Sequence, residues 1–138
     1  RHRRERPASW RTIEAPTDVA SSISGNVGDA GVIIIDCLTL LVSNVILGES
    51  RRRPDVEEID EVAAMDLVTK EAEAIIGVIQ KTDATFIMVS NEVGLGLVPD
   101  NQLGRIYRDL LGSANQLIAQ NADTVYFMVA GIPMKVKG

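Results

Sequence analysis

Residues 31–36 read GVIIID and residues 84–90 read ATFIMVS. Both are short apolar runs rich in β-branched side chains, of strand length rather than helix length. The first ends on a carboxylate, Asp36, and the second runs into the polar pair Asn91-Glu92. A run that is apolar at successive positions is expected to be buried on both faces, as a central strand of a parallel sheet is. Residues 124–130, TVYFMVA, make a third run of the same kind. Helical patterns separate the three, so the sequence predicts an α/β domain with a mostly parallel sheet flanked by helices and right-handed crossovers. Active groups in such sheets collect beyond the carboxyl ends of the strands. Here those ends supply Asp36 and Asn91-Glu92.

The connecting segments follow from pattern and punctuation. Residues 38–47 (LTLLVSNVIL) are apolar and helical, and residues 48–55 (GESRRRPD) read as a loop with a cationic triplet, Arg51-Arg52-Arg53, to which no role is assigned. Residues 56–81 read as a long acidic helix with Val56, Ile59, Ala63, Leu67, Ile75 and Ile79 on one face. Residues 91–99 (NEVGLGLVP) form a loop longer than most strand-to-helix connections, with Gly94 and Gly96 for tight turning or close approach of a ligand. Asp100 is placed to cap the helix after it, where Leu103, Ile106, Tyr107, Leu110, Leu111, Ala114, Leu117 and Ile118 give the clearest amphipathic pattern in the chain. Upstream, residues 15–30 read as a short helix capped by Thr17 or Asp18 and then a Gly-rich turn, and residues 131–138 as a tail. In the first fourteen residues Pro7 ends any turn or helix near Arg6, leaving an irregular or extended stretch behind it.

The 138 residues are one domain's worth, 46% hydrophobic and 24% charged, which excludes disordered, collagen-like and disulfide-scaffold classes. The apolar run from Val125 to Met134 falls short of a membrane span. Cys37, the single cysteine, has no internal partner, so a reducing, cytoplasmic setting is expected. The net charge of −5 is uneven: residues 1–14 carry five arginines against Glu5 and Glu14, a local +3, leaving −8 on the remainder. A basic segment on an acidic body points to an anionic ligand bound at one place and not to nucleic acid, whose partners are basic overall.

Three places can carry chemistry. An apolar strand ending in an acid, as at Asp36, is how nucleotide-dependent enzymes hold magnesium, although such an acid is as readily a helix cap or a strand-end carboxylate bonded to backbone. The Asn91–Pro99 loop either meets a ligand or merely connects a strand to a helix. His2, the only histidine, stands among Arg1, Arg3, Arg4, Arg6 and Arg11. Guanidinium forks suit phosphate oxygens, and a neutral imidazole beside cations is a competent nucleophile toward phosphorus. A histidine near the start of a chain is more often a solvated side chain. The sequence contains no G-x-x-x-x-G-K-[ST], no H-E-x-x-H, no G-x-S-x-G and no Cys/His metal spacing. Gly94 and Gly96 lack the third glycine of a dinucleotide fingerprint.

The blocks R-H-R-x-x-R-P-x-x-W-R-T-x-E at 1–14, I-I-D-C-L-T-L-L-V-S-N at 34–44, V-S-N-E-V-G-L-G-L-V-P-D-N at 89–101, R-D-L-L-G-S-A-N-Q at 108–116 and V-Y-F-M-V-A-G-I-P-M-K at 125–135 occur in this order. Together they resemble the bifunctional adenosylcobinamide kinase / adenosylcobinamide-phosphate guanylyltransferase family. The resemblance implies a P-loop NTPase fold of RecA-like type and two reactions late in adenosylcobalamin (vitamin B12) synthesis. One is phosphorylation of adenosylcobinamide by GTP or ATP. The other is transfer of GMP from GTP to adenosylcobinamide phosphate through a guanylylated histidine. By the same resemblance that histidine is His2. Arg3, Arg4, Glu5, Arg6, Glu14 and Asp36 are nucleotide-binding, with Mg2+ at Asp36, and a homo-oligomer with its site near a subunit boundary is implied. Members carry a glycine-rich phosphate-binding loop ahead of this segment, so the chain is expected to be one nucleotide-binding α/β domain over 1–138, truncated at its N-terminus. Two other classes stay open on the residues: a non-catalytic nucleotide-binding or regulatory protein of the same fold, and a structural assembly domain.

Overall fold

Each of the three apolar runs forms a strand, but only two of them pair with each other. The computed structural model describes residues 6–52 and 59–138. In chain order the elements are α1 (Val19–Ser24), β1 (Val32–Asp36), α2 (Leu38–Arg52), α3 (Glu61–Ile79), β2 (Thr85–Val89), α4 (Gln102–Asn121), β3 (Val125–Val129) and β4 (Ile132–Lys137). Strands β1 and β2 are parallel, with Val32 opposite Thr85 and Asp36 opposite Val89. Strand β3 is not their neighbour; it pairs antiparallel with β4, in a second two-stranded sheet. The fold is therefore mixed α/β with a small parallel sheet, and the expected tail at 131–138 is mostly strand.

The hairpin has a local cause. Ala130 and Gly131 both take positive φ, 50° and 79°. That pair of values is a two-residue turn whose twist matches its flanking strands. Pro133 in β4 is tolerated because a two-stranded sheet consists only of edges. Lys137 ties the hairpin back to α4 by donating its ammonium to the carbonyls of Ala119 at 2.9 Å and Gln120 at 2.8 Å. Those carbonyls belong to the last turn of α4, which lacks intrahelical donors, and a cation there also meets the negative end of the helix dipole.

The parallel pair is covered on one face only. Ile33, Ile35, Phe86 and Met88 pack against the helices. Val32, Ile34, Ile87 and Val89 on the opposite face remain 41–56% exposed, so the expected burial on both faces does not hold. Helices α1 to α4 close the covered face. Leu38 and Val42 of α2, Ile75 of α3, and Leu110 and Leu111 of α4 are the largest fully buried side chains.

Helix boundaries depart from the sequence expectation where small or polar residues decide. Helix α3 starts at Glu61, with Asp60 Oδ1 accepting the Ala63 N–H at 3.0 Å; it does not start at 56. Val56 itself lies outside the described residues. The buried face of α3 is Ala64, Val68, Ala72 and Ile75, one position on from the predicted Ala63 and Leu67. Two alanines bring the helix backbone close to its neighbours, and a pattern counted on large side chains passes over them. Helix α2 continues to Arg52, through most of the expected loop. Asn101 and not Asp100 caps α4, its Oδ1 accepting the Gly104 N–H at 2.7 Å. Asp18 precedes α1 in a left-handed conformation, φ 52°, and its side chain makes no cap bond. Instead its N–H donates to Glu71 Oε1 on α3 at 2.8 Å.

Candidate functional site

The register that aligns Asp36 with Val89 brings the two strand ends to one edge. There Asp36 is exposed and α2 begins two residues later. The Asp36–Cys37 peptide bond is cis. Beyond β2 the chain continues through Ser90 and Asn91, which helices α2 and α4 hold from two sides, to Glu92. Asn91 N–H donates to Thr39 Oγ1 at 3.0 Å. Asn115 Nδ2 donates to Asn91 C=O at 3.0 Å, and Asn115 Oδ1 accepts from the Ser90 hydroxyl at 2.6 Å. Glu92 turns its Oε1 back onto the Gly94 N–H at 2.6 Å. Neither Gly94 nor Gly96 needs a left-handed backbone, so their service here is compactness.

Below this edge sits Tyr107 of α4, whose hydroxyl makes a long 3.5 Å contact to the Thr39 carbonyl. Burial, and after it the charge of nearby Cys37, raises the Tyr107 phenol above its ordinary value. The far end of the 91–99 loop is fixed as well. Arg105 Nη1 donates to the carbonyls of Pro99 at 3.1 Å and Asp100 at 2.9 Å. A side chain at Gly104 would place its Cβ 2.7 Å from Pro99 Cβ, so only glycine allows this approach. Between its pinned ends the loop presents Leu95, Leu97 and Val98 to solvent.

The sequence-predicted residues fall into three groups. Asp36 lies beside the Ser90–Glu92 segment, as the strand-end rule requires. Arg6 and Glu14 belong to the irregular stretch before α1: Arg6 Nη1 donates to Thr12 Oγ1 at 3.2 Å, and Glu14 is exposed. That stretch is latched by Arg11 Nη2, which donates to Val27 C=O at 2.8 Å and lies against Gly28, held at φ 54°. His2, Arg3, Arg4 and Glu5 lie outside the described residues. A shallow crevice lined by Leu38, Leu41, Val42, Val45, Val68 and Glu71 contains none of these candidates; it is a seam in the helix packing.

Thr39, Ser90 and Asn115 were not singled out by sequence reasoning. Their partners lie 24 to 52 residues away in the chain, beyond any local spacing signal. Among the described residues no group of three or more His, Cys, Asp or Glu side chains forms a metal cage. A magnesium ion that rides on a nucleotide needs only one or two protein carboxylates, the rest of its shell being phosphate oxygens and water. Exposed Asp36 at the strand edge fits that requirement. Among the same residues no helix is long and apolar enough to cross a membrane.

Comparison with known proteins gives a consistent result. A family model described as cobinamide kinase / cobinamide phosphate guanyltransferase matches residues 1–136. The chain is 35% identical over 136 residues to the bifunctional adenosylcobalamin biosynthesis protein CobU of Salmonella typhimurium, covering 99% of this chain and 75% of that protein. It is 33% identical over 136 residues to the protein of the same name from Escherichia coli, with the same coverages. It is 36% identical over 137 residues to the bifunctional adenosylcobalamin biosynthesis protein CobP of Pseudomonas aeruginosa, covering 99% and 71%.

Proposed function

This chain belongs to the cobinamide kinase / cobinamide phosphate guanyltransferase family, and from that premise we propose how its residues divide the work. The protein is a kinase and guanylyltransferase of adenosylcobalamin biosynthesis. Its substrates are adenosylcobinamide and adenosylcobinamide phosphate, with GTP or ATP as phosphoryl donor and GTP as the source of GMP. The domain is a P-loop NTPase of RecA-like type.

Guanylyl transfer runs in two displacements. The neutral imidazole of His2 attacks the α-phosphorus of GTP; an N–P bond forms as the bond to the pyrophosphate oxygen breaks. A phosphate oxygen of adenosylcobinamide phosphate then attacks the same phosphorus and displaces the imidazole, giving adenosylcobinamide-GDP. Splitting one transfer into two is the service of a nucleophilic side chain. Arg3, Arg4 and Arg6 meet the charge that develops on phosphoryl oxygens, and Glu5 and Glu14 bind the nucleotide beside them. Asp36 would hold Mg2+, and the bound ion would supply positive charge against the departing pyrophosphate.

The observation that carries this reading is the meeting of the exposed Asp36 with the clamped Ser90-Asn91 pair at one edge of a parallel pair of strands, in a chain of this family. The test is turnover. The full-length protein is given GTP and adenosylcobinamide, and adenosylcobinamide-GDP and pyrophosphate are measured. Replacing Asp36 by Ala is expected to lower the rate about 100-fold or more, with the urea midpoint retained because the side chain is exposed. A wild-type rate in Asp36→Ala would remove this edge from the site.

A further inference from the structure

Asn91 is held by both main-chain groups and left free at its side chain. Thr39 Oγ1 accepts its N–H and Asn115 Nδ2 donates to its C=O, each at 3.0 Å. The opposite end of the Asn115 amide accepts the Ser90 hydroxyl at 2.6 Å, which fixes which way that amide points. The clamp comes from α2 and α4, so it refers Asn91 to the helical core and not to its own loop. The Asn91 carboxamide, on an exposed residue, has no partner among the described residues. It lies two positions beyond Val89, the register partner of Asp36.

We propose that the Asn91 carboxamide contacts the phosphates of the bound nucleotide beside Asp36, and that Asn115 and Thr39 are positioning residues that act through Asn91. The chemistry selects Asn91 over its acidic neighbour. Glu92 has one carboxylate oxygen engaged by its own loop, and a second free carboxylate next to Asp36 would repel a polyphosphate. A carboxamide adds no charge; its NH2 donates to a phosphoryl oxygen while its oxygen accepts from water. Immobilising the main chain on both sides means that little freedom is lost when the contact forms, which is how a supporting shell raises the value of one hydrogen bond.

This inference rests on the reading of the strand edge as the nucleotide site, and Asp36→Ala separates the two. Guanylyl transfer by the full-length protein is followed in Asp36→Ala, Asn91→Ala, Asn115→Ala, Thr39→Val and Thr39→Ser. Asn91→Ala is expected to lower kcat/KM for GTP between about 10- and 100-fold. Asn115→Ala and Thr39→Val are each expected to lower it about tenfold, with kcat changed more than KM. Thr39→Ser keeps the acceptor and recovers the wild-type rate. On an Asn91→Ala background, Asn115→Ala and Thr39→Val add little, because what they position is gone. Thr39→Val is nearly isosteric, so it provides the answer if Asn115→Ala fails to fold. Wild-type kinetics in Asn91→Ala with an inactive Asp36→Ala would overturn this inference and leave the strand edge as the site. Full additivity of Thr39→Val with Asn91→Ala would overturn the positioning role. Wild-type rates in both Asp36→Ala and Asn91→Ala would remove the edge itself.

Discussion

Tyr107 shows what burial does to a single group at this site. Its phenol is raised by desolvation, with the charge of Cys37 adding to the effect. The ionised form is thus less favourable in the folded protein than in the unfolded chain, whose phenol titrates at about 10. Between those two values the folded state holds more protons, so stability falls as pH rises through the range above about 10. Titration of tyrosine absorbance should show a component above that value, absent in Tyr107→Phe. Tyr107→Phe should also flatten the loss of stability at alkaline pH. An unchanged alkaline profile in Tyr107→Phe would mean that the phenol is not desolvated. Site residues were legible in the sequence to an uneven degree. Asp36 was found because a strand-end acid has a local signature. Asn115 was not, because it stands on an amphipathic helix and its meaning comes from a strand end 24 residues earlier.

At the scale of elements, α4 carries most of the testable energetics. Leu110 and Leu111 are fully buried, and truncating either to Ala should cost about 2–5 kcal/mol in urea unfolding. Asn101→Ala removes the cap and should cost about 1 kcal/mol. Gly104→Ala forces a methyl group against Pro99 and should destabilise the turn before α4, seen as faster amide exchange at Arg105. If Leu110→Ala cost no more than Asn101→Ala, α4 would not be the core helix described. The existence of α2, α3, α4 and three strands was readable from periodicity. Pairing was not, since an apolar run looks the same whichever neighbour it meets. The β3–β4 hairpin depended on Ala130 accepting a left-handed backbone, a conformation that glycine takes more easily. That strain of about 1–2 kcal/mol for a non-glycine residue exceeds the roughly 0.5–1 kcal/mol entropic penalty of glycine. Ala130→Gly should therefore stabilise the hairpin by a fraction of a kcal/mol, detected as slower amide exchange in β3 and β4. Faster exchange there would show that Ala130 is not strained.

Across the whole molecule, an acidic body bears a basic segment at residues 1–14, with apolar surface left on the outer face of β1 and β2. The family resemblance implies a homo-oligomer, and an exposed apolar face of this kind is a surface on which a second copy would bury area. Sedimentation of the full-length protein should give a multiple of the chain mass, and Ile34→Glu should shift it toward the monomer. A monomer at every concentration would remove that reading. The proposed guanylylation of His2, which the family resemblance implies, is tested by covalent labelling. Incubation of the full-length protein with GTP labelled at the α-phosphate should leave a base-stable, acid-labile label on His2, abolished in His2→Ala. No label on the wild-type protein, or label that survives His2→Ala, would contradict a guanylyl transfer that passes through that imidazole.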